Sequence, residues 1–348
     1  MALIFILNFL VELASSELGR GRVGVLSWPF RAVMEFEFVK GQLGLSFLKP
    51  IRGGRGGGCV CQGQGFDSDR GQLYLKWSDD VGNEAREMLS GERASLQAIQ
   101  DTDTVRCPRP LGVAADPASG RVVLVMEFLH MGGLRGRAAQ LGEQIARMHL
   151  HNGAALAKEE AHSSRVGASE KHAAAPVSQF GFPVPTCCGR IPQANQWCDD
   201  WVQFLARDKL EPQIAMIERE YGDREARELW PRLQRCLPEM FRNITVTPAL
   251  LHGDLWSGNA AETDDEPVVF DPSSFYGHAE YELGIGHMFG GLGSGFFRGY
   301  HAVLPKQEGF ERRNRLYQLF HNLNHWNHFG SGYRGSSLSL MRSLVSGS

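Results

Sequence analysis

Residues Leu250–Gly277 read LLHGDLWSGNAAETDDEPVVFDPSSFYG, and the functional reading of the whole chain starts from them. They hold His252-Gly253-Asp254, then Asn259, then Asp271 after the apolar run Val268-Val269-Phe270. H-G-D-x-x-x-x-N is the catalytic-loop pattern of kinases, and a short strand ending in Asp is where such enzymes hold magnesium. The chemistry explains the residue types. A hydroxyl attacking the γ-phosphate of ATP must give its proton to a carboxylate. A second carboxylate and an amide oxygen must hold Mg2+, a hard cation that prefers oxygen. Asp254 is therefore the candidate base, and Asn259 and Asp271 the candidate metal ligands. A solvated acidic loop is the competing reading, but the combined pattern is too specific for it.

A kinase also needs a nucleotide roof, and Gly53–Trp77 offers one: GGRGGGCVCQGQGFDSDRGQLYLKW. Glycines admit positive φ and let backbone N–H groups approach phosphate oxygens. No Gly-Lys-Ser/Thr follows, so this is not a Walker A loop. Gly63 and Gly65 are the chosen cradle positions, against the alternative of a flexible linker. Leu73-Tyr74-Leu75 is a β-prone run that ends in Lys76, where a kinase lysine bridges the nucleotide phosphates. Met88, Leu89, Leu96 and Ile99 then recur at helical spacing, and Glu92 lies on that helix. In kinases such a Glu fixes the lysine head group; a solvated surface Glu is an equal reading from the residues alone. Val122–Phe128 reads as a buried strand. Glu127, Phe128 and Leu129 are candidate hinge residues for the adenine edge by position only, with an ordinary strand end as the alternative.

Composition bounds the remainder. The chain has 348 residues, enough for two lobes, and a net charge of −3, which gives no nucleic-acid or anionic-membrane footprint. Seven cysteines at these spacings suit neither a secreted disulfide framework nor a zinc site. A reducing, cytoplasmic setting follows as the expectation. No apolar run reaches membrane-spanning length. The opening MALIFILNFLVELASSELG reads either as a short signal peptide, though it lacks a basic n-region and Glu12 interrupts its apolar part, or as the first helix of the small lobe.

Further along, Leu141, Ile145 and Met148 have core spacing, and His149 among them reads as a packing or hydrogen-bonding histidine. Residues 152–177 lack periodicity and read as a surface excursion. Helices follow from Trp201 to Tyr221 and over DREARELWPRLQRCLPEMF, where Pro231 predicts a kink or break. Trp197, Asp199, Asp200 and Trp201 could line a sugar cleft, although Trp at a helix start is more often core. One acid in Glu280-Tyr281-Glu282 is expected to brace the catalytic loop. His321, His325 and His328 invite a metal reading, but no carboxylate or thiol accompanies them in sequence, and structural histidines are commoner.

HGDLWSGN, FDPSSFYGHAEYELG and YQLFHNLNHWNHFGSGYRGSSL closely resemble the fructosamine-3-kinase/ketosamine-3-kinase family of aminoglycoside-phosphotransferase-like kinases. The resemblance runs from roughly residue 53 to 345, is dense from Thr186 onward, and is absent before about Arg52. It implies an α+β, two-lobed, protein-kinase-like fold with a small β-rich N-lobe and a larger helical C-lobe. On that reading residues 51–129 form the N-lobe and 130–348 the C-lobe, while 1–50 are a divergent or mis-spliced start with no assigned function. It aligns Glu92 with the family's lysine-pairing glutamate. It implies phosphorylation of the 3-hydroxyl of ketosamines, free or on glycated proteins, with ribulosamines and psicosamines ahead of fructosamines. It also aligns Cys59 with a loop cysteine that forms a redox-sensitive intermolecular disulfide, so a monomer or a redox-dependent homodimer is expected. Cys61 departs from the family pattern there. Two rivals stand beside this reading: another small-molecule kinase acting on choline, an aminoglycoside or a sugar, and a nucleotide-binding relative with impaired catalysis.

Overall fold

The computed structural model describes residues 36–57, 60–163 and 175–347. Its small lobe is a five-stranded antiparallel sheet in the order β1-β2-β3-β5-β4. The strands are β1 (Leu48–Gly57), β2 (Cys61–Ser68), β3 (Gly71–Ser78), β4 (Pro110–Ala115) and β5 (Val122–Glu127). The period of two along β3 and β5 sorts their side chains between two cores. Leu73, Leu75, Trp77, Val123 and Val125 face outward into one cluster, whereas Leu124 and Met126 face the large lobe. Burial on both faces is why β5 reads as an unbroken apolar run.

The outer face is covered by helix α1 (Glu37–Leu43), which Gly44 ends in the left-handed conformation at φ 64°. Phe36 and Val39 are fully buried there, and the Phe36 ring lies 4.7 Å from that of Trp77. The described part of the segment given no structure from its sequence, from Phe36 on, thus supplies core to the sheet. The inner face carries α2 (Asn83–Asp101), whose apolar stripe Leu89, Leu96 and Ile99 is buried.

Residues 128–131 lead to β6 (Gly132–Gly133), which pairs with β10 (Ala260–Glu262) of the large lobe. Helix α3 spans Ala138–Ser163, so it continues through half of the segment expected to be an irregular excursion. The run from Trp201 is α4 (Trp201–Phe204), a π-helical stretch (Leu205–Leu210) and α5 (Glu211–Tyr221). Helix α6 (Arg224–Phe241) runs through both Pro231 and Pro238, so of the kink or break expected at Pro231 the break does not occur. Its one-sided burial of Leu229, Trp230, Leu233 and Leu237 outweighs the lost backbone bonds. Helices α7 (Glu282–Phe289), α8 (Gly293–Val303), α9 (Phe310–Phe329) and α10 (Arg334–Ser346) complete the lobe. Among the described residues no helix is long and apolar enough to cross a membrane.

Short strands position the catalytic stretch. β9 (Ala249–Leu251) pairs with β12 (Phe275–Gly277), and β10 pairs with β11 (Pro267–Val269), so the residues between them form two loops facing the sheet lobe. A hairpin of β7 (Thr186–Cys188) and β8 (Ile191–Gln193) closes the cleft from one side.

Candidate active site

Lys76 projects from β3 toward the large lobe with only 8% of its surface exposed. Its Nζ lies 2.8 and 2.7 Å from the two oxygens of Glu92 on α2, and 2.9 Å from Oδ1 of Asp271. Burial opposes the ammonium charge, but the two carboxylates outweigh it and hold Lys76 above its ordinary value. Helix α2 is pinned at this point. A Cβ on Gly91 would meet Pro185 O at 2.4 Å, so only glycine lets the helix approach that close. Ser95 Oγ accepts the Ser274 N–H at 3.1 Å, tying the Glu92 helix to the loop that follows Asp271.

The His252–Asp254 turn is held from behind by Glu282. Its carboxylate accepts the N–H of His252 at 2.5 Å and that of Gly253 at 2.9 Å, and both groups are buried. Glu282 is thus the bracing acid that sequence reading could not choose. Glu280 serves elsewhere, in a buried pair with Arg313 at 2.7 Å. His149 faces Glu282 at 3.5 Å and bonds Tyr300 Oη through Nδ1 at 2.8 Å, the hydrogen-bonding role expected of it. His252 has a defined tautomer. Nε2–H donates to Phe270 O at 2.9 Å, and Nδ1 accepts the Asp254 N–H at 3.3 Å. Burial lowers its pKa, so the ring stays neutral and joins the two loops. Gly253 sits at φ +86° with Ser273 O 2.2 Å from where a Cβ would be, so this crossing admits no side chain.

Asn259 Nδ2 donates to Asp254 O at 2.8 Å and to Asp254 Oδ2 at 3.0 Å, which fixes the orientation of that carboxylate. Asp254 is pushed up to about 7 by burial, with the Asn259 hydrogen bond pulling it down. Asp271 adopts φ 57°, a left-handed conformation unusual for a residue with a side chain. Such strain is held in place by its surroundings and concentrates at functional sites. Lys76, Glu92, Asp254, Asn259 and Asp271 all line one cavity of about 420 Å³ between the lobes. Asp271 and Asn259 present oxygen donors there, a set that fits Mg2+.

The other sequence candidates are placed differently. Gly63 pairs with Lys76 and Gly65 with Tyr74 inside β2, and neither lines the cavity. Their smallness has a packing cause: a Cβ would lie 2.0 Å from Tyr74 Oη at Gly63, and 2.7 Å from the Phe128 ring at Gly65. The backbone N–H groups of Glu127 and Phe128 are spent on Arg109 O and Gln72 O, at 2.9 and 3.1 Å. The Glu127 carboxylate is held by Arg106 at 2.6 Å. Leu129 lies between β5 and β6 and does not line the cavity. Cys59 is outside the described residues. Of the sugar-cleft group, Trp201 is core at 3% exposure, Asp200 caps α4 by accepting the Gln203 N–H, and neither Trp197 nor Asp199 lines the cavity.

Residues not chosen from sequence form the far wall: Cys187, Cys188, Arg190, Trp256, Asn324, His325, His328 and Phe329. The β7–β8 hairpin is fastened to α9 where Arg190 N–H donates to His328 Nε2 at 2.9 Å. His325 and His328 thus line the cleft, while His321 lies behind Asp254. No local spacing signals this wall, because α9 and the hairpin meet only in the folded lobe.

A sheet lobe with a paired Lys and Glu, hinged to a helical lobe that presents H-x-D, Asn and a strand-end Asp to the same cavity, defines a protein-kinase-like phosphotransferase scaffold. The model of the fructosamine kinase family matches residues 38–347, and the chain belongs to that family. The match begins before Arg52, so the likeness includes α1 and β1. The chain is 52% identical over 309 residues to ketosamine-3-kinase of Mus musculus, covering 88% of this chain and 98% of that protein. It is 36% identical over 290 residues to the chloroplastic protein-ribulosamine 3-kinase of Arabidopsis thaliana, covering 83% and 81%. A crystal structure from Thermobifida fusca YX-ER1, provisionally named a fructosamine-3-kinase, has a TM-score of 0.69 at 24% identity, covering 93% of this chain and 100% of that one. The aminoglycoside phosphotransferase APH(4)-Ia, in a ternary complex with ADP and hygromycin B, has a TM-score of 0.52 at 13% identity, covering 89% and 97%.

Proposed function

We propose that this protein is an ATP-dependent ketosamine-3-kinase, transferring the γ-phosphoryl group to the 3-hydroxyl of ribulosamines and psicosamines, with fructosamines as further acceptors. The single observation that carries the reading is the convergence of Lys76, Asp254, Asn259 and Asp271 on one cleft in a chain 52% identical to a ketosamine-3-kinase. In this reading Lys76, oriented by Glu92, holds the nucleotide phosphates. The adenine edge is assigned to residues 127–129 by their position along the chain alone, between β5 and β6. Asp271 and Asn259 would hold Mg2+, which neutralises charge on the phosphates when bound. Asp254 accepts the proton of the attacking hydroxyl, and Asn259 keeps its carboxylate turned to that task. Positioning and electrostatics supply most of the acceleration in such transfers.

Acceptors on the side chains of glycated proteins fit a cleft whose far wall opens through Phe329, 49% exposed, to the surface. A cytoplasmic setting belongs to the same proposal, and the six described cysteines are free. An acceptor panel tests the function. With Mg-ATP, a ribulosamine should be phosphorylated at least tenfold faster than choline, an aminoglycoside or an unmodified sugar. Equal or faster turnover of any of those three would reassign the chain to another small-molecule kinase activity.

A further inference from the structure

His321 is completely buried on α9, yet neither of its ring nitrogens has a hydrogen-bond partner among the described residues. Leaving two buried polar atoms unpaired is costly, and such a group in a native fold calls for an unseen water or ion. What lies beside it is specific. A ring nitrogen of His321, the Cys188 Sγ and a carboxylate oxygen of Asp254 all fall within 4.8 Å of one another. Sequence spacing hid this group, because the three residues come from α9, β7 and the loop after β9.

The donors are an imidazole, a thiol and a carboxylate. Mg2+ takes oxygen ligands, whereas this mixed set is the one zinc prefers, at about 2.0–2.3 Å per bond. The three donors would close on a common ion to reach those distances from their present separations of up to 4.8 Å. Cys188 and Asp254 line the cleft, so an ion has an entry path and a fourth position open to cleft water. Asp254 is already oriented by Asn259 at 3.0 Å, which serves as outer-shell support. Cys188 has no disulfide partner among the described residues.

We propose that Cys188, Asp254 and His321 form an inhibitory site for a thiophilic divalent cation, Zn2+ in the first instance, directly behind the cleft. Binding replaces the Cys188 S–H bond with an S–metal bond, and the proton leaves to solvent through the cleft. The same ion takes the Asp254 carboxylate, so a hydroxyl brought to the cleft has nothing to receive its proton. The site is separate from the Asn259 and Asp271 oxygens, and saturating Mg-ATP does not protect it.

The test uses the full chain and two probes. Co2+ added to the nucleotide-free protein should give an intense near-ultraviolet thiolate-to-cobalt absorption that Cys188→Ser abolishes and His321→Asn weakens or shifts. Zn2+ titrated into a turnover assay at saturating Mg-ATP should inhibit the parent reversibly, with recovery on adding a zinc-selective chelator. Cys188→Ser and His321→Asn should each need at least tenfold more Zn2+ for the same inhibition. Absence of the cobalt band, or a band that survives Cys188→Ser, overturns the proposal. So does zinc sensitivity that is the same in both variants as in the parent. The absorption arm needs no turnover and so decides the site even if a variant is inactive.

Discussion

Asp271 Oδ1 lies 2.9 Å from Lys76 Nζ although 195 residues separate them, and this contact joins the two lobes at the floor of the cleft. Lys76 also holds both oxygens of Glu92, so one ammonium serves two carboxylates from two different elements.

Lys76→Met would leave Glu92 and Asp271 facing each other with no cation between them. Removing one partner of a buried pair costs about 3–5 kcal/mol, because the remaining charge stays desolvated. Chemical denaturation should show a loss of that order, together with a fall in turnover of at least about 100-fold. A variant as stable as the parent would mean that Lys76 is solvated.

Asp254 gives a pH signature. Its folded pKa of about 7 lies above the ordinary carboxylate value, so the folded state holds the proton more tightly than the unfolded chain. In metal-free protein this group therefore costs no stability below about pH 4, and an increasing amount as pH rises to about 7. Asp254→Asn should melt higher than the parent at pH 8, by roughly 2–4 kcal/mol of stability, with the gain gone near pH 4. Thermal melts across that range measure it. A gain that does not depend on pH would refute the burial of this carboxyl.

Glu282 holds two backbone donors of the catalytic turn. Glu282→Ala leaves the His252 and Gly253 N–H groups buried without acceptors, at about 1–3 kcal/mol each. Calorimetry should show the destabilisation. Kinetics should show kcat falling more than KM, since the turn that carries Asp254 loses its support.

Phe36 tests whether α1 belongs to the small lobe. Phe36→Ala removes a fully buried ring from the outer face of the sheet and should cost about 3–5 kcal/mol. Denaturant midpoints report it, and an unchanged midpoint would place this residue outside the core.

The catalytic stretch was legible because its chemistry demands fixed residue types at short range, and β9–β12 only fold that order into two facing loops. Lys76 was legible as the end of a β-prone run, whereas Glu92 was an even choice from the residues and was singled out by the family resemblance. Gly63 and Gly65 were ambiguous in sequence, since a glycine chosen for a phosphate cradle and a glycine packed beneath Tyr74 or Phe128 look alike. Trp201 is core, the reading preferred for a Trp at a helix start, and Asp200 is a helix cap; both carry residue types that a sugar site also uses. The wall of Arg190, Asn324, His325 and His328 was invisible, being made where α9 meets the β7–β8 hairpin. The continuous α6 shows packing overriding the helix-breaking tendency of Pro231.

The most direct test of the assignment follows phosphate from Mg-ATP to the 3-hydroxyl of a ribulosamine by phosphorus NMR, for the parent and for Asp254→Asn. The expected result is a 3-phosphate from the parent, and a rate at least about 100-fold lower from the variant with Mg-ATP affinity retained. Equal rates from the two proteins would contradict the role given to Asp254 and, with it, the account of the cleft.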